Sequence, residues 1–203
     1  MRAILISIQP QWVAKILNGE KTLEIRKTMP KCDLPIDVYI YCTKEDSLIK
    51  LKTGYVHDRY VCEKDFKIGD FPKMYSGYEG KGKVVAKFTL NKVEEIFTIG
   101  MYYHETKTLD KNELPRLGCL SRKDLDNYLQ GENGYAWHID NLEIFDKPKE
   151  LGEFKHLVKY SCLTCPYNQG EEITNKCAFC EEIKSLARPF QSWGYIEVWY
   201  GES

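Results

Sequence analysis

The chain has 203 residues, 43% hydrophobic and 29% charged, enough to bury one substantial core in a single domain. Its 29 Lys and Arg offset 30 Asp and Glu for a net charge of −1, which excludes a global attraction to polyanions and leaves nucleic acid only a local patch. No apolar run approaches the roughly 20 residues of a membrane span, and the opening MRAILISIQPQ lacks a signal-peptide core and cleavage site. A cytoplasmic location with reduced thiols and no membrane partner is therefore expected.

Residues 3–8, AILISI, read as a strand ended by Gln9-Pro10. Pro10 suits the first turn of a helix, Gly19 suits the position past its end, and Trp12, Val13, Ile16 and Leu17 share a face between them. TLEIR (22–26) follows as a strand whose pleat sets Thr22, Glu24 and Arg26 on one face and Leu23 and Ile25 on the other, with Lys21 just before. That polar face is either solvated surface carrying an ion pair of little energetic worth, or the lining of a cleft.

VYIYC (38–42) is a further strand, and KEDSLIKLK (44–52) reads as an amphipathic helix with a solvated charged face. No regular structure is assigned to most of 53–82. GKVVAKFTLNKV (82–93) is strand-like, and Ser121 caps a helix RKDLDNYL that ends before Gly131. GYAWHIDNLEIF (134–145) is strand-like and closed by Pro148, EEIKSLA (181–187) reads as a helix, and GYIEVWY (194–200) as the last strand. The sum is an antiparallel α+β domain, in the form of a small β-barrel with short helices between strands.

The strongest chemical signal is CLTC (162–165) followed by CAFC (177–180). Two Cys-x-x-Cys pairs eleven residues apart can bring Cys162, Cys165, Cys177 and Cys180 into the tetrahedron that zinc prefers. The intervening PYNQGEEITNK has too few apolar residues to fold alone, so a metal would supply what a core cannot. A redox pair or two disulfides are the alternatives; a reducing compartment and the absence of a βαβ pattern favour Zn2+. Four thiolates leave no open coordination position, so the metal is expected to be structural. Cys32, Cys42, Cys62 and Cys119 are scattered and read as small buried hydrophobes.

The opening SIQPQWVAKILNGEKTLEIRK resembles the ASCH domain, a member of the PUA-like β-barrel superfamily, in which a strand and helix lead into a G-x-K-T-x-E-x-R strand. Here that motif is Gly19, Lys21, Thr22, Glu24 and Arg26. VYIYCT, GKVVAKF, SRKDLDNYLQGENGYAWHI and RPFQSWGYIEV are similar to segments of small ASCH proteins of bacteria and phages. The resemblance covers most of 1–203 as one domain, with 160–181 as a four-cysteine zinc-binding insertion.

The resemblance implies a barrel cleft that binds RNA or a nucleotide- or nucleoside-sized ligand through Lys21, Glu24 and Arg26. Arg26 offers a planar fork for a phosphate or for Glu24, and a carboxylate such as Glu24 can accept from an exocyclic amine. Ser7, Gln9, Tyr41, Thr43, Trp137, His138, Gln191 and Trp193 are further candidate cleft residues, the tryptophans stacking on a base or else packing in the core. His138, with no ligand partners nearby in sequence, is given no metal role. A related branch contains amidohydrolases acting on acetylated cytidine, whose K-T-x-T-x-R motif places catalytic groups at the positions of Lys21 and Glu24. A glutamate there is a poor acyl-transfer nucleophile, so the hydrolytic alternative has Lys21 as base and Glu24 directing water. A third alternative is an interaction module that uses the zinc segment to hold a protein partner.

Overall fold

The computed structural model describes residues 1–44, 55–56, 60–61, 80–99, 103–159 and 181–198. The order begins β1 (Arg2–Ile8), α1 (Pro10–Leu17), β2 (Leu23–Arg26) and β3 (Ile36–Cys42). Two short strands, β4 (Tyr55–Val56) and β5 (Tyr60–Val61), pair with each other; β6 (Lys83–Leu90), β7 (Val93–Ile99) and β8 (Tyr103–Glu105) follow. Then come α2 (Glu113–Leu117), α3 (Arg122–Leu129), β9 (Gly134–His138) and β10 (Asp140–Glu150). After a single 3-10 turn, β11 (Lys155–Lys159), β12 (Glu181–Ser185) and β13 (Trp193–Glu197) complete the fold.

The strands form a seven-stranded sheet, ordered β10-β6-β3-β1-β13-β11-β12, and a four-stranded sheet, ordered β2-β9-β7-β8. The β1–β3 pair is parallel and every other pair of these two sheets is antiparallel. Two corners join the sheets: Asn91 and Lys92 between β6 and β7, and Ile139 between β9 and β10. This wraps both sheets around one core in an α+β, barrel-like arrangement. No helix among the described residues is long and apolar enough to cross a membrane.

The main core gathers Ile4, Ile6 and Ile8 from β1, Val13, Ile16 and Leu17 from α1, and Val38, Ile40, Phe88 and Trp137. The helix forms where expected: Pro10 opens it, Asn18 caps its end, and Gly19 takes the left-handed φ of +70° that lets the chain turn into β2. A second cluster, with Leu23, Ile25, Leu114, Leu125, Leu129 and Ala136, packs α2 and α3 on the outer side of the four-stranded sheet. Gly134 begins β9 so close to α3 that a Cβ there would lie 2.5 Å from Leu129 Cδ2.

Three expectations are corrected. EEIKS is β12, not a helix, because its backbone pairs in full register with β11 and tertiary pairing overrides local propensity. Residues 134–145 are two strands in different sheets, broken at Ile139. Pro148 does not close β10, which continues to Glu150; it falls at a register shift on an edge strand, where a missing N–H is tolerated. The expected helix at 44–52 lies outside the described residues beyond Lys44, as do Cys62, Cys162, Cys165, Cys177 and Cys180.

Candidate functional site: a cleft over Lys21, Glu24 and Arg26

β2 carries the centre of the site. Its apolar residues Leu23 and Ile25 pack under the helices, yet the opposite face is also sequestered. Lys21 is 3% exposed and Glu24 7% exposed. The solvated-surface reading of this strand is therefore excluded by burial.

Lys21 Nζ lies 3.4 Å from Glu24 Oε2, and Arg26 Nη2 lies 3.0 Å from Glu24 Oε1. The carboxylate thus bridges two cations, which is the arrangement that makes three buried charges tolerable. Each cation also holds backbone. Lys21 Nζ donates to Gly118 O at 2.8 Å, at the end of α2, and Arg26 Nη2 donates to Ser7 O at 2.8 Å. Arg26 Nη1 donates to Ser192 Oγ at 3.2 Å, and the backbone of Thr22 to Leu117 O. Four chain segments distant in sequence are tied together through this one cluster.

The cluster floors a cleft of about 500 Å3, within the range of small-molecule sites. Ser7, Gln9, Thr43 and Gln191 line it, as the sequence suggested. Gln11, Trp12, Leu120, Asp124 and Tyr128 line it too, and sequence reasoning missed them. Trp12 was legible only as part of a helix face; its ring faces the Lys21 amine at 5.6 Å. Asp124 is held by a capping box with Ser121, a signal present in the sequence as Ser-x-x-Asp, and hydrogen bonds from the Ser121 side chain and backbone lower its carboxyl. Burial pushes the Tyr128 phenol up, against the pull of Arg26, so it stands at the cleft as a neutral donor.

Among the described residues, two polar atoms of the cleft lining are buried without a hydrogen-bond partner: Arg26 Nε and Thr43 Oγ1. Such groups are rare in folded chains and mark places where a ligand or water completes the bonding.

The remaining candidates do not line the cleft. Tyr41 is buried in the core beside Leu5 and Val84, and burial raises its phenol. Trp137 is fully buried, edge-on to Trp193 at 5.5 Å, so it has no face to offer a base. Trp193 is half-buried between Trp137 and Tyr195 and donates Nε1 to Thr28 Oγ1. His138 belongs to a separate network: its Nε2 is 2.7 Å from Glu94 Oε1, which also takes Lys92 at 2.8 Å. Thr106 and Thr108 donate to Glu94 Oε2 at 2.7 and 2.6 Å. Burial alone would raise the Glu94 carboxyl, but the bonds from Lys92, Thr108, Thr106 and His138 outweigh it and hold the group at about 2.

Of the scattered cysteines, Cys42 is buried as expected, whereas Cys32 and Cys119 are only half-buried. Cys119 adopts a left-handed φ of +52° next to Gly118, and its thiol donates to Glu20 O at 3.2 Å.

No protein-family model matches the chain, and no curated protein matches it. Among solved structures, ASCH from Zymomonas mobilis is similar over 73% of this chain and 73% of its own, with 16% identity and a TM-score of 0.46. Two mutants of the same protein match alike, one Tyr-to-Phe (17% identity, 73% and 76% coverage, TM-score 0.42) and one Ser-to-Ala (17%, 73% and 74%, 0.43).

Proposed function

We propose that this chain is a cytoplasmic ASCH-type, PUA-like domain whose cleft binds RNA or a nucleotide- or nucleoside-sized ligand. The observation that carries the reading is the buried Lys21–Glu24–Arg26 cluster beneath a cleft, with Arg26 Nε and Thr43 Oγ1 lacking a partner among the described residues. Trp12 supplies an aromatic face and Gln9, Gln11 and Gln191 supply amide groups suited to a base edge. Titration of the protein with short single-stranded RNA, nucleotides and modified nucleosides, followed by Trp fluorescence, tests it. Saturable binding weakened at least tenfold by Thr43→Val or Arg26→Ala supports the reading; no binding by any of these ligands sinks it.

A second reading, hydrolysis of an acylated nucleoside such as acetylcytidine, is favoured by the meeting of Lys21 and Glu24 on the cleft floor. Against it, the Lys21 amine already donates to Gly118 O and faces Glu24, so a base would first have to leave these partners. Chromatography of acetylcytidine incubated with the protein and with Lys21→Ala decides: cytidine produced by the first alone makes this an enzyme.

The four cysteines are proposed to hold a structural Zn2+. β11 and β12 pair antiparallel up to Lys159↔Glu181, the two residues that flank 160–180. That the residues on either side of the cysteine segment are cross-strand partners supports a reading in which the two Cys-x-x-Cys pairs share one ion. Bound there, the metal would supply cross-linking of the hairpin end and no chemistry in the cleft.

A further inference from the structure

Glu24 and Asp124 both line the cleft, and the two carboxylates are not equivalent. Glu24 is engaged on both oxygens, Oε2 with Lys21 and Oε1 with Arg26. Asp124 is engaged on one. Its Oδ2 accepts from the Ser121 hydroxyl at 2.6 Å and from the Ser121 backbone at 3.3 Å. Among the described residues no hydrogen bond reaches Oδ1, and the bonds from Ser121 favour the ionised carboxylate.

The reciprocal cap with Ser121 fixes Asp124 at the start of α3. Tyr128 lies one turn further along, so α3 presents a carboxylate and a phenol to the same cleft. Charge decides what this wall accepts. The described lining residues set Lys21 and Arg26 against Glu24 and Asp124, which leaves no excess of positive charge for a phosphate. An ionised acceptor repels an anion and takes an uncharged donor instead. In a nucleoside the vicinal ribose hydroxyls are such donors, and dinucleotide-binding folds use a carboxylate for ribose in this way. The flat base suits Trp12 on the α1 side of the cleft, with the Arg26 Nε–H as a donor to its edge. An exocyclic base amine is the competing donor for Asp124.

We propose that Asp124 is the sugar-reading residue of the cleft, accepting through Oδ1 from the vicinal hydroxyls of a ribonucleoside. The assignment rests on the nucleoside-sized ligand proposed above and names its class, ribonucleosides over 2′-deoxyribonucleosides.

Calorimetric titration of the full chain tests it, with adenosine, cytidine, guanosine and uridine beside their 2′-deoxy counterparts. Each base that binds should do so about tenfold more tightly as the ribonucleoside, as one hydrogen bond to a charged group provides. Uridine, without an exocyclic amine, should show the same ratio as cytidine. In D124A the ratio should fall to about one. S121A loses the cap but keeps the carboxylate, so it should keep the preference and separate sugar reading from helix order. Equal affinity of the wild type for both sugars overturns the assignment and leaves cleft binding standing. A ribose preference that survives D124A overturns it as well, by placing the sugar elsewhere. Weakening by D124A of the amine-bearing nucleosides alone, with either sugar, gives Oδ1 to the base and overturns it too. No binding by any nucleoside also overturns it, and the same titration with short single-stranded RNA shows whether the cleft reading falls with it.

Discussion

Lys21 and Glu24, three residues apart in the chain and both more than nine-tenths buried, meet at 3.4 Å on the floor of the cleft. Arg26 joins the same carboxylate from the other side at 3.0 Å. Burying three charges in this way is tolerable only while all three are present, which makes the cluster a sensitive point of the fold as well as of the site.

Glu24→Gln should therefore be costly. It leaves two buried cations with one neutral amide between them, and breaking a buried pair typically costs about 3–5 kcal/mol. The urea midpoint of the variant should fall by a corresponding amount. A loss under about 1 kcal/mol would mean that water already enters the cluster and screens it.

The Glu94 network predicts acid sensitivity. The folded carboxyl is held at about 2, below its ordinary 4.5, so the unfolded chain takes up protons first as pH falls. The stabilisation is present above about 4.5 and is lost as pH drops from there towards 2. Wild type should lose midpoint steeply across this window, whereas Glu94→Gln should start lower and change less. Equal slopes for the two proteins would count against the network.

The tryptophans should divide by role. Trp12 lines the cleft, and removal of a stacking aromatic costs about 1–3 kcal/mol per base, so Trp12→Leu should weaken ligand binding roughly five- to hundred-fold. Trp193→Leu removes edge-on packing against Trp137 and Tyr195 and should lower stability with little effect on affinity. The opposite pattern would move the ligand to the β13 side of the molecule.

Elemental analysis of protein purified without chelator should find one zinc per chain, absent in Cys165→Ser. Chelation should increase hydrogen exchange in β11 and β12 while β1 and β3 stay protected, because only the former pair flanks the cysteine segment. Protein with no zinc in any preparation would remove the metal proposal.

Local signals in the sequence determined much of this protein. Pro10 and Gly19 bound α1, Ser121 caps α3, and the alternation of TLEIR brings Glu24 and Arg26 to one side. These depend on neighbours within about four positions, where helix and strand periods act directly. Tertiary structure alone decided the rest. Lys21, Glu24 and Arg26 are a buried cluster and not a solvated face because Gly118 and Ser7, 97 and 19 positions of chain from the Lys21 and Arg26 groups they bind, close over them. EEIKS became a strand because β11 lies beside it, and Trp12, not Trp137, faces the cleft because Trp137 sits where both sheets meet. Propensity is a property of a segment; burial and pairing are properties of what the segment meets.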